Sequence, residues 1–162
     1  MEFEIGLCDQ FDVKDNELSE LLHSVYVKEG YTSLKLANSL FKPSLVRDRG
    51  TIFVARESSS SNFAGMVIVV PPSSSAKMLA KSNECEIHLL GVKPQYRGFK
   101  LGKNLVETAL AYVKENNWSK IILWTQKSMV TAQNLYKSCG FVETGKMSNN
   151  EIDFVIYEKN VT

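Results

Sequence analysis

The stretch that most constrains this chain is Val92-Lys-Pro-Gln-Tyr-Arg-Gly-Phe-Lys-Leu-Gly102. A β-type run, Glu86-Ile-His-Leu-Leu-Gly-Val92, leads into it, and an amphipathic helix leads out. A strand that ends in a tight, basic, glycine-containing turn and then starts a helix is suited to hold a phosphate. The first backbone N–H groups of a helix have no internal partners, and the helix dipole adds partial positive charge there. Gly98 and Gly102, which lack a Cβ, permit close approach of backbone and ligand. Arg97, Lys100 and Lys103 place cations around the same spot. The segment implies a phosphorylated ligand held mainly by main chain.

The remaining composition narrows the ligand. The chain has 162 residues, is 44% hydrophobic and carries a formal net charge of +1. That length and apolar content fit one domain over residues 1–162 with a real core. A nearly neutral protein with one local basic turn fits a small anionic ligand better than a nucleic acid. The three cysteines, Cys8, Cys85 and Cys139, are far apart and form no CxxC pair, so neither a disulfide framework nor a zinc site is expected. Reduced thiols fit a cytoplasmic protein. The start, Met-Glu-Phe-Glu-Ile, lacks the basic and apolar regions of a signal peptide, and no apolar run has membrane-spanning length. We therefore expect no metal, no membrane and no nucleic-acid partner.

Periodicity predicts the elements. Phe3–Cys8 reads as a strand and Asn16–Lys28 as a helix, with Leu18, Leu21, Leu22 and Val25 on one face and Gly30 beyond its end. Leu34–Phe41 reads as a short helix stopped before Pro43. Thr51–Arg56 and Phe63–Val70 form a hairpin around Ser58–Asn62, and residues 71–83 form a loop. The helix from Leu101 is apolar over a wide arc and must pack on a sheet, with Asn116-Asn117 ending it. Ile121–Trp124 reads as a buried strand, Ser128 as the cap of a following helix, and Gly140 as its C-terminal left-handed residue. Phe141–Glu143 and Ile152–Tyr157 are the last strands. The order β-α-α-β-β-β-α-β-α-β-β implies an α/β (α+β) protein, with a mixed sheet of six to seven strands and helices on both faces.

At this point the motifs resemble a family. Gln95-Tyr-Arg-Gly98 with Leu101-Gly102 is similar to the pyrophosphate loop of the GNAT superfamily of acetyl-CoA-dependent N-acetyltransferases, Gln/Arg-x-x-Gly-x-Gly/Ala. Glu86–Val92 resembles the strand before that loop. Ala132-Gln-Asn-Leu-Tyr136-Lys-Ser-Cys-Gly140-Phe141 resembles the later helix and turn, A-x-x-L-Y-x-x-x-G-F. The likeness is motif-like from about Glu84 to Glu143, and the element order extends it over nearly the whole chain. Two positions depart from the pattern. Lys100 stands where the family usually has Gly or Ala, and we expect it at negative φ, with Gly98 and Gly102 making the close approach. Met129 stands where the family often has a cofactor-touching Asn.

The resemblance implies a fold, a donor and a set of roles. Acetyl-CoA would be the acetyl donor, bound by Leu90, Gly91, Val92, Arg97, Gly98, Phe99, Lys100, Leu101, Gly102 and Lys103. The backbone of Leu90–Val92 would hold the pantetheine arm like an added strand, with one N–H polarising the thioester carbonyl. Tyr136 would be the general acid that protonates the leaving thiolate. Glu86 would take the amine proton, through a water if needed, unless it is a satisfied structural carboxylate. His88 is a relay, a substrate contact or a structural histidine. Cys85 and Cys139 read as packing residues. The reaction expected is direct transfer to a primary amine in a ternary complex, with a small-molecule acceptor and a homodimer as one option for assembly. The alternatives are a protein (lysine or N-terminal) acetyltransferase and a non-catalytic acyl-CoA-binding domain. A Rossmann dinucleotide site fits poorly, because the loop is not G-x-G-x-x-G and does not follow the first strand.

Overall fold

The computed structural model describes residues 1–162. Seven strands form one sheet: β1 (Phe3–Leu7), β2 (Thr51–Glu57), β3 (Phe63–Val70), β4 (Glu84–Val92), β5 (Lys120–Gln126), β6 (Val142–Asn149) and β7 (Ile152–Asn160). Their spatial order is β1-β2-β3-β4-β5-β7-β6. All pairs are antiparallel except β4–β5, which is parallel. The helices are α1 (Asp15–Leu22), α2 (Leu34–Leu40), α3 (Pro43–Asp48), α4 (Leu101–Glu115) and α5 (Val130–Ser138).

The alternation of side chains along β3 shows why both faces are covered. Met66, Ile68 and Val70 join a core with Leu18, Leu21 and Leu22 of α1 and Val46 of α3. Val67 and Val69 join a second core with Leu105, Val106, Ala109 and Val113 of α4 and Tyr136 of α5. A strand buried on both faces reads as a continuous apolar run, as Phe63–Val70 does. No helix is long and apolar enough to cross a membrane.

Four local expectations change. The predicted Asn16–Lys28 helix is α-helical only to Leu22 and continues as a π-helical turn over His23–Val27. Pro43, read above only as a stop, opens α3 at its first turn, where its missing N–H is no loss. The expected cap at Ser128 is absent: α5 has Met129 at its N-cap and no side-chain cap bond. The residues between the two last expected strands, 144–151, belong mostly to a hairpin. β6 runs on to Asn149, and Asn150 and Glu151, at φ 52° and 64°, make the tight turn into β7. Two positive φ values in succession match the twist that two-residue hairpins require.

Candidate active site

The site begins where β4 and β5 part. They pair only over Glu84–Glu86 against Lys120–Ile122, so beyond Glu86 the β5-facing edge of β4 has no strand partner. A β-bulge accentuates this. Between the Met66–Gly91 and Ile68–His88 pairs the register shifts, and Leu89 takes φ 51°. Bulges bend a strand and re-aim its side chains. The π-helical turn closes one side of the opening. The Tyr26 hydroxyl donates to the Leu90 carbonyl at 3.0 Å, and Val25 lies against Gly91 so closely that a Cβ there would meet Val25 Cγ2 at 3.2 Å. Gly91 is thus explained by the approach of this turn. The bulge itself falls at Leu89.

The loop and α4 close the lower end. Leu90, Gly91, Val92, Arg97, Gly98, Lys100, Leu101, Gly102 and Lys103 line one cavity of about 580 Å³, with Val25, Tyr26, Glu29 and Met129 opposite. Gly98 has φ 88° and open space where a Cβ would stand. Gly102 is inside α4, and a Cβ there would meet Leu135 Cδ2 at 3.1 Å, so its job is to let α4 and α5 pack. Phe99 differs from the expectation. Its ring lies 5.5 Å from that of Phe3, and it is absent from the cavity wall, so the side chain does not contribute to the site. Arg97 pairs with Glu29 at 2.6 Å across the cavity mouth.

Lys100 overturns an expectation stated above. It sits at φ 62°, ψ 21°, the left-handed region, as the N-cap of α4. The turn needs that geometry to aim the helix start back at the cavity, and glycine would adopt it without strain. Lysine is tolerated although it is strained, and its side chain is exposed at the cavity rim.

A second cavity, of about 270 Å³, shares Tyr26, Leu90, Met129 and Ala132 with the first as a common wall. It is built from scattered segments: Leu36, Leu40 and Phe41 of α2 and its end, Arg49 after α3, His88 of β4, Trp124 of β5, and Ile152 and Phe154 of β7. Tyr136 lines it from α5. The Tyr136 ring is 6% exposed and packs edge-on to Phe141 at 5.8 Å. Its hydroxyl has no protein partner and is not sealed from the cavity, since no buried side-chain polar atom lacks a partner. Burial pushes its pKa well above the usual tyrosine value, so it is a protonated donor at neutral pH. The Thr125 hydroxyl donates to Met129 Sδ at 3.5 Å, which fixes the thioether between the two cavities.

Of the two readings of Glu86, base or satisfied structural carboxylate, its surroundings favour the second. It is fully buried, and its carboxylate accepts the backbone N–H groups of Met78, Leu79 and Ala80 at 2.8, 2.6 and 2.7 Å. Its other oxygen accepts His88 Nε2–H at 2.8 Å. Burial alone would raise its pKa; the His88 and backbone hydrogen bonds outweigh that and hold the carboxyl below its ordinary value. A carboxylate saturated in this way folds the 78–80 loop and orients His88, and it has no open face toward an amine.

His88 is buried too, but unlike Glu86 it lines the smaller cavity. Arg49 Nη1 donates to His88 Nδ1 at 3.1 Å, so Nδ1 carries the lone pair and Nε2 the proton. Burial lowers the His88 pKa and Arg49 lowers it further, against the pull of Glu86. The ring packs edge-on to Trp124 at 5.1 Å. Arg49 and Tyr26 were not singled out by sequence reasoning. Neither stands in a motif, and each acts from a turn whose geometry is set by packing. Among the thiols, Cys85 is buried and pushed up to about 12 by burial and by the neighbouring Glu86, which fits an inert packing residue. No group of three or more His, Cys, Asp or Glu side chains is arranged to hold a metal ion.

Comparison with known proteins agrees with this architecture. Over 59 residues the chain is 46% identical to an uncharacterized N-acetyltransferase of Dictyostelium discoideum, covering 36% of this chain and 27% of that protein. Over 73 residues it is 38% identical to an uncharacterized N-acetyltransferase of Schizosaccharomyces pombe, covering 45% of each. The chain thus spans less than half the length of these curated relatives. An acetyltransferase of the GNAT family from Staphylococcus aureus superposes with a TM-score of 0.76 at 19% identity, covering 99% of this chain and 100% of that one. A Bacillus subtilis acetyltransferase solved in complex with CoA gives 0.69 at 20% identity, covering 98% and 99%. The family model described as "Acetyltransferase (GNAT) family" matches residues 16–141, the span from α1 to the end of the α5 turn. The chain belongs to the GNAT acetyltransferase family.

Proposed function

We propose that the protein transfers the acetyl group of acetyl-CoA to a primary amine by direct transfer. The observation that carries this reading is the unpaired β4 edge, continuous with a basic loop and helix start and adjoining, through the shared Leu90 wall, the cavity that Tyr136 lines. An extended pantetheine arm fits such an edge as an added strand, and a pyrophosphate fits the free N–H groups at the start of α4. Arg97, Lys100 and Lys103 complement its charge. The CoA in the Bacillus subtilis structure supports the same assignment.

The chain's residues then divide the chemistry. The amine lone pair attacks the thioester carbonyl carbon, whose oxygen is polarised by a β4 backbone N–H. The carbon–sulfur bond breaks, and Tyr136 donates its proton to the departing thiolate. Once Arg49, which donates to His88 Nδ1 in the free protein, is drawn away, that nitrogen accepts the proton lost by the amine, with Glu86 holding the ring in the competent tautomer. Both groups are restored by exchange with solvent. The protein's reaction occupies one continuous domain, residues 1–162. The test is acetyl-CoA turnover against pooled primary amines, with thiol release followed alongside product mass. One thiol per acetylated amine supports the reading. CoA binding without acetylated product in any pool would favour an acyl-CoA-binding role.

A further inference from the structure

The chain has four arginines, and three of them pair with carboxylates: Arg47 with Asp15 at 2.8 Å, Arg56 with Glu4 at 2.9 Å and Arg97 with Glu29 at 2.6 Å. Arg49 is the exception, and it is the one that lines the smaller cavity. Inside the protein it donates to His88 Nδ1 and, through Nη2, to the Leu40 carbonyl at 3.2 Å, both neutral acceptors. A guanidinium has five N–H donors, so several remain unused. Burial lowers its pKa, and no carboxylate offsets this.

Its backbone is fixed nonetheless. The Ser74 hydroxyl donates to the Arg49 carbonyl at 2.8 Å, and at the adjacent Gly50 any side chain would collide with the Val69 carbonyl. The base of the side chain is therefore anchored beside the cavity, while the guanidinium rests only on His88 and the Leu40 carbonyl. Holding an uncompensated, partly desolvated charge is costly unless something meets it. The other walls include Leu36, Leu40, Trp124, Ile152 and Phe154, which are apolar.

From this we infer that the acceptor carries a carboxylate beside its amine, as a free amino acid with an apolar side chain does, and that Arg49 reads that carboxylate. The inference rests on the acetyltransferase reading of the site. A planar guanidinium matches a carboxylate in bidentate geometry. The apolar walls take the side chain. Engagement of the carboxylate also draws the guanidinium from His88 Nδ1 and leaves that lone pair open to the amine proton. Arg49 is thus a specificity residue that couples recognition to the base. A peptide N-terminus or a polyamine presents no α-carboxylate and leaves Arg49 unmatched.

The test uses phenylalanine, phenylalaninamide and phenethylamine on the wild type and on Arg49→Gln. Binding is measured by calorimetry in the presence of CoA, and turnover by thiol release with acetyl-CoA. Charge-assisted bidentate contacts predict at least a tenfold preference of the wild type for phenylalanine, abolished in Arg49→Gln, while phenethylamine is bound equally by both. Arg49→Lys should restore part of the preference. Equal binding of all three compounds to the wild type, a preference that survives Arg49→Gln, or no binding of any overturns the inference. Carboxylate-selective binding without acetyl transfer would instead overturn the acetyltransferase reading and leave the recognition intact.

Discussion

The two cavities, proposed above to take the acetyl donor and the acceptor, share a wall but are built by opposite means. One whole wall of the first is a contiguous stretch, Leu90–Lys103, offering main chain and small residues to Val25, Tyr26, Glu29 and Met129 opposite. The second gathers side chains from α2, the α3 end, β4, β5, α5 and β7. A site made of backbone demands particular φ values and small residues at fixed spacing, so it marks the sequence. A site made of distant side chains leaves each one isolated in sequence. The donor half is therefore the half that motifs reveal, and the acceptor half is where members of one family can differ.

Substitutions can break or sharpen this contrast. The largest effect is expected in the smaller cavity: Tyr136→Phe should lower turnover about 100-fold or more, as loss of a general acid does, while acetyl-CoA affinity is retained. Steady-state kinetics beside a binding titration checks it, and unchanged turnover would remove Tyr136 from the acid role.

Next comes Glu86→Gln, expected to cost about 1.5–3 kcal/mol by weakening charge-assisted bonds to buried N–H groups. Its pH dependence is diagnostic. Glu86, held below its ordinary value of 4.5, contributes stability that is present above that pH and lost as the pH falls through its folded value. His88, held below 6.5, must charge on unfolding, so it erodes stability as pH falls from 6.5. Denaturation midpoints across pH should show both stages in the wild type and only the His88 stage in Glu86→Gln.

Gly91→Ala should destabilise by about 1–3 kcal/mol, because the new Cβ presses on Val25. Val25→Ala in the same chain should recover part of it, and a double-mutant cycle measures the coupling. The smallest effect is a gain. Lys100→Gly relieves a left-handed lysine and should stabilise by up to about 1 kcal/mol, read as a rise in Tm of about 2–4 °C.

Particular residues show what sequence could and could not disclose. The strands, the α4 face and the loop were legible because periodicity and glycine placement act locally. Pro43 was ambiguous, since proline both ends one helix and begins the next. Lys100 misled because its side chain argued for ordinary φ while the turn demanded otherwise. Glu86 and His88 stand two apart on β4 and so share a strand face, but their hydrogen-bond partners, the 78–80 loop and Arg49, approach from elsewhere in the chain. Arg49 looks like any surface arginine until its missing carboxylate is seen.

The most direct test of the separation between the two halves is a calorimetric titration of acetyl-CoA into the wild type, Arg49→Gln and the double variant Arg97→Gln, Lys103→Gln. Well-separated sites act independently to within about 0.5 kcal/mol, so Arg49→Gln should leave Kd within about twofold. Loss of the two cations proposed to meet the pyrophosphate should weaken binding by about tenfold or more. Weakening by Arg49→Gln equal to that of the loop variant would contradict the account, because the acceptor-side arginine would then be holding the donor.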